Sequence, residues 1–115
     1  MRSNFDERVL GGGGVWYGSD LIVLIFLYVE GIDPNEMTDL HIRVCSGGRA
    51  VTDVPLMCHE ELSQSFREDG QEVFFALCPG ILGKLKGNKF DASFQVMSAN
   101  ALSRVIPIGV DVSFS

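Results

Sequence analysis

A chain of 115 residues with an apolar share of 46% is long enough to bury one hydrophobic core without disulfides or metal. Nine basic against fifteen acidic residues leave a net charge of −6 spread over both halves, which speaks against the positive stripe that nucleic-acid binding needs. Three cysteines, Cys45, Cys58 and Cys78, form no CxxC pair, so neither a disulfide framework nor a zinc ribbon is expected.

The first segment, "MRSNFDERVLGGGG", has acids where a secretory signal would be apolar, and a cytoplasmic protein is expected. Four glycines follow, Gly11–Gly14. A phosphate cradle would need a Lys-Ser or Lys-Thr after them and a helix beyond, or glycines spaced as GxGxxG. Neither is present, so the run reads as a permissive bend or a wide bulge where backbones approach closely. It feeds Trp16 and Tyr17 into a strand, one ring inward and the other outward. Leu21 to Val29 is unbroken apolar chain, far short of the ~20 residues of a membrane-spanning helix, and reads as a strand covered on both faces. Turn chemistry in "GIDPNE" ends it. Asp33, Glu36 and Asp39 are too sparse for a calcium loop and read as solvated acids.

Period-two alternation is the clearest signal downstream. "DLHIRVCS" puts Leu40, Ile42 and Val44 on one face, "SGGR" makes a hairpin, and "RAVTDVPL" holds a short strand up to Pro55. "CHEELSQSFRED", residues 58–69, is the one helical segment, with Leu62 and Phe66 on a shared face, acids at its positive end and Gly70 as its stop. "QEVFFALC" is a strand whose core face is expected to be Val73, Phe75 and Leu77, with Phe74 and Ala76 on the other. "GKLKGNK" gives a hairpin tip carrying Lys84, Lys86 and Lys89. "KFDASFQV" turns Phe90, Ala92, Phe94 and Val96 inward. "RVIPIGVDVSF" does the same with Ile106, Ile108, Val110, Val112 and Phe114. The expectation is one all-β domain over 1–115, an antiparallel β-sandwich of about seven strands with one short helix; the alternative is a closed β-barrel.

Catalytic signals are weak. There is no GxSxG elbow, His41 points outward on a strand, and His59 begins the helix; a hydrolase would need a pocket joining His59 to Cys58 or Ser63. No catalytic residue, metal ligand or cofactor is therefore assigned. The expected function is a non-catalytic protein–protein interaction or assembly module, self-associating through a sheet face or edge or binding a protein partner. Neither nucleic acid nor membrane is expected as a partner. The candidate binding residues are Trp16, Tyr17 and Phe74, with Glu60, Glu61 and Glu68 as an acidic rim. Two alternatives are a small-ligand or glycan-binding β-barrel with Trp16 or Tyr17 as stacking platform, and an acidic inhibitor occupying a basic site on a partner.

Overall fold

The alternating apolar positions require two sheets to cover them, and the computed structural model has two. It describes residues 5–30, 38–83, 92–99, 101–108 and 110–111. Within these, one helical turn, α1 (Phe5–Arg8), leads into β1 (Val9–Tyr17) and β2 (Asp20–Tyr28). Then follow β3 (His41–Ser46), β4 (Arg49–Pro55), β5 (Met57–Cys58), helix α2 (Glu60–Phe66) and β6 (Gln71–Cys78). The last strands are β7 (Ala92–Met97), β8 (Ile106–Pro107) and β9 (Val110–Asp111). One sheet has the order β5-β6-β2-β1-β9, the other β4-β3-β7-β8. Every pairing is antiparallel except the short β1–β9 contact. Both sheets stay open, so the fold is a β-sandwich and not the closed barrel. No helix among the described residues is long and apolar enough to cross a membrane.

The core is the space between the sheets. Leu21, Val23, Ile25 and Leu27 of β2 face Ile42 and Val44 of β3 and Ala92, Phe94 and Val96 of β7, all buried. Only two polar residues are buried among those described, Ser63 and Ser103, and each stands in for a missing strand. The Ser63 hydroxyl accepts from the Val73 N–H at 2.8 Å and donates to the Val73 carbonyl at 3.3 Å. Ser103 Oγ accepts from the Val96 N–H at 2.9 Å and donates to the Arg104 carbonyl at 2.8 Å. Backbone polar groups beyond the reach of β5 and β8 are thus satisfied by side chains.

Gly11–Gly14 lie inside β1, an uninterrupted strand of nine residues, so they form no turn. A bulge is present at the start of the run, where the β1–β2 register shifts between Val9 and Gly11. Close approach explains the residue type. A Cβ on Gly12 would come within 2.5 Å of the Leu24 carbonyl oxygen and 2.9 Å of Phe94 Cζ, and one on Gly14 within 2.5 Å of Ile108 Cγ2. The sheets close onto bare backbone there.

Other elements follow the sequence with adjustments. "SGGR" is a two-residue hairpin, with Gly47 and Gly48 at φ 59° and 79°, the left-handed pair that such turns favour. The helix is shorter than 58–69: α2 ends at Phe66 and a 3-10 turn over Arg67–Asp69 carries the chain to Gly70 at φ 75°. "RVIPIGVDVSF" is not one strand. Its described part gives β8 in one sheet and β9 in the other, the chain crossing at buried Ile108 after Pro107. Proline has no N–H to continue a ladder, which is why the run breaks there. The expected turn at "GIDPNE", the lysines Lys84, Lys86 and Lys89, and Phe90, Val112 and Phe114 lie outside the described residues.

Candidate functional site

The largest departure from the expected burial lies on β6 and on the outer face of the five-stranded sheet. Antiparallel partners share a face, and the register Ile25↔Phe74, Val23↔Ala76 and Leu21↔Cys78 commits Phe74, Ala76 and Cys78 to the core. The expected core face of Val73, Phe75 and Leu77 is therefore corrected: these three point outward. Val73 is still buried, because α2 folds over it, whereas Leu77 is 49% exposed. Phe74 is 6% exposed and packed in the core, so it offers no binding surface in this fold. The same holds for Trp16, also 6% exposed, which pairs with Leu21 on the inner side. Its neighbour Tyr17 points outward and is 70% exposed. Of the three aromatic candidates, Tyr17 alone is available.

Nor is β2 covered on both faces. At one end its outer side chains are shielded: Phe26 meets Phe66 of α2 edge-to-face at 5.6 Å, and the Arg8 guanidinium lies 5.7 Å over the Tyr28 ring. At the other end, Ile22 and Leu24 stay partly open. Their cross-strand partners are Leu77 and Phe75 on β6, and Val15 and Gly13 on β1. Gly13 places no side chain beside Leu24, so that flank is bare. Ile22, Leu24, Phe75 and Leu77 make an apolar floor, and residues 58–62 rise beside it as a wall. The resulting groove has a volume of about 530 Å³.

The wall is built by helix capping. His59 is the N-cap, its ring Nδ1 accepting from the Leu62 N–H at 3.3 Å, and its ring packs edge-on against Phe75 at 5.7 Å. This fixes the first turn of α2 against the floor and sets Glu60 and Glu61, both exposed, at the rim. Arg67 reaches Glu60 at 3.3 Å. Glu68 is exposed on the 3-10 turn and does not line the groove. Of the eight large apolar side chains exposed among the described residues, five (Val15, Tyr17, Met57, Leu62 and Leu77) gather on this side of the sheet or its wall.

Cys58, His59 and Ser63 do come together here, but each is committed to structure. The Ser63 hydroxyl is held by Val73, and His59 Nδ1 by the helix cap. The Cys58 thiol donates to Glu72 Oε2 at 2.9 Å and lies 3.6 Å from Ser63 Oγ. Burial and that carboxylate both push the Cys58 thiol up. Burial raises Cys45 as well and pushes Cys78 up to about 11. Thiolates are the reactive form, so all three are expected to react slowly with a disulfide reagent at pH 8 in the native protein and fast in denaturant. A native Cys58 that reacts as fast as in denaturant would contradict this. No group of three or more metal-ligating side chains occurs among the described residues.

Comparison with protein-family models, with curated proteins and with solved structures gives no match. The groove was missed by sequence reasoning because Leu21 to Val29 offers apolar residues at every position and period-two reading cannot say which face stays bare. The signal that could have found it is the pair Gly11 and Gly13, outward-facing positions without side chains beside Phe26 and Leu24.

Proposed function

We propose that this chain is a non-catalytic protein–protein interaction module whose working surface is the outer face of the five-stranded sheet. The observation that carries this reading is the apolar groove of Ile22, Leu24, Phe75 and Leu77, bounded by Glu60 and Glu61, with exposed Tyr17 farther along the same sheet face. Contiguous apolar surface on a small domain is unfavourable in water and marks a binding site when it is rimmed by polar groups. The floor supplies affinity and the acidic rim supplies register. The engaged state of Cys58, His59 and Ser63 supports the non-catalytic part. The ligand-binding alternative finds no closed barrel in these open sheets. Of its two stacking platforms, Trp16 is inside the core while Tyr17 lies on the open outer face, with no enclosing cavity around it among the described residues.

Assembly of two copies through this face is the second reading. The exposed apolar side chains favour it, while the like-signed rims and a charge of −6 per copy oppose it. Such self-association is therefore expected to strengthen as salt rises. The test is particle mass by light scattering, and recovery of complexes from native lysate, for wild type, Leu77→Asp, Tyr17→Asp and, on the opposite sheet, Arg49→Glu. Leu77→Asp and Tyr17→Asp should weaken assembly tenfold or more, while Arg49→Glu should not. Complexes that survive both face variants and fall apart with Arg49→Glu would overturn the reading.

A further inference from the structure

The groove carries charge as well as apolar surface, and the two together select a partner. Among the described residues lining it, the ionisable side chains are Cys58, His59, Glu60 and Glu61, and no lysine or arginine is present. The carboxylates of Glu60 and Glu61 stand on consecutive residues at the start of α2, directly beside the apolar floor. Arg67 is within reach of Glu60 and also lies 3.9 Å from Glu72, so its single charge is shared between two acids. The rim is left net negative.

The floor strand β2 is paired along both edges, by β1 and by β6, so an incoming chain cannot add itself as a strand there. It must present side chains, as an amphipathic helix does when it lays its apolar stripe into a groove. A volume of about 530 Å³ suits a small cluster of such anchors. A second copy would bring the same acids to the rim, and an anionic membrane or nucleic acid would be repelled. What remains complementary is a cationic protein segment.

Resting on the proposed interaction face, we infer that the groove binds an amphipathic helical segment of another protein that carries basic residues flanking its apolar anchors. The apolar anchors sit on Leu24, Phe75 and Leu77, and the cations meet Glu60 and Glu61. Electrostatic attraction at such a rim speeds encounter and weakens with salt, whereas the apolar contact does not.

The probe is a pair of labelled model peptides of about five helical turns, with leucine on one face and either lysine or glutamate on the other. Binding is read by fluorescence anisotropy at low and moderate salt. The lysine peptide should bind at least tenfold tighter than the glutamate peptide, and moderate salt should shrink that margin. The double variant Glu60→Gln, Glu61→Gln should remove most of the margin, while Leu77→Asp, at an exposed position, should abolish binding of the lysine peptide without loss of the β-sheet circular dichroism signal. Equal binding of the two peptides, or a margin unchanged in the Gln variant, overturns the basic-partner inference and leaves the apolar face standing. No binding of either peptide also overturns the inference, and the light-scattering series with Leu77→Asp then decides the face separately. Lysine-peptide binding that Leu77→Asp leaves intact overturns both.

Discussion

Truncating Phe94 to alanine is expected to cost about 3–5 kcal/mol of unfolding free energy, measured by urea denaturation. Phe94 is fully buried at the centre of the four-stranded sheet, and its ring tip sits over the bare backbone of Gly12 in the facing sheet. The two positions form one fitted pair, a large side chain opposite none. Losing the ring leaves a cavity that strand backbones, held in register on both sides, cannot collapse into. The converse change, Gly12→Ala, should cost about 1–3 kcal/mol, because its methyl would meet both the ring and the Leu24 carbonyl. One residue earlier, Gly11→Ala should be neutral or slightly stabilising, since nothing lies within 4 Å of its added carbon. In a Phe94→Leu background the Gly12→Ala penalty should shrink without vanishing, as the carbonyl remains in place. Strictly additive costs would contradict the fitted-pair account.

Replacing Ser63 by alanine should cost about 1–3 kcal/mol, and Ser103→Ala about as much, although each removes a single oxygen. The serine at 63 is fully buried and both gives to and receives from Val73; without it the Val73 N–H faces the underside of α2 with no acceptor. Ser103 does the same for the Val96 N–H. The penalty comes from the stranded backbone group more than from the lost bond. Hydrogen exchange separates the two sites: Ser63→Ala should speed exchange at Val73 and through α2, and Ser103→Ala at Val96. A loss under about 0.5 kcal/mol at both would show that water replaces the hydroxyls freely. For Ser63 a local effect follows too, since α2 carries the groove wall and its loosening should weaken binding there.

The strands with clean alternation were legible in the sequence because polar residues marked their outer faces. Along β3 and the residue before it, His41, Arg43 and Cys45 alternate with Leu40, Ile42 and Val44, and the structure keeps that division. Where both faces are apolar, the pattern holds no such mark. "QEVFFALC" fits either assignment by period, and only pairing with β2 decides that Phe74 turns in and Phe75 out. The Trp16–Tyr17 pair had to split, but which ring goes inward is set by the parity of Gly12 and Gly14, whose missing side chains face the opposing sheet. Of the acidic rim, Glu60 and Glu61 reach the groove because His59 caps the helix at that point, a local event the sequence does suggest. Glu68 lies about two turns farther along, on the 3-10 segment after α2 has ended, away from the groove. The floor itself depends on β2 and β6 meeting across more than forty residues of chain, and no local signal encodes that.

The order in which the strands are laid down has a consequence for how the molecule comes apart. The β1–β2 hairpin belongs to one sheet, β3–β4 to the other, β5–β6 to the first, β7–β8 to the second, and β9 to the first again. Each sheet is finished only by a strand that arrives after the chain has visited its neighbour. A cut at the Gly47–Gly48 turn therefore yields two fragments, neither holding a complete sheet, and neither is expected to fold alone. Mixed together, they should recover the native spectrum. With its decisive pairings this distant in sequence, the intact chain should fold slowly, in milliseconds to seconds, and as one unit.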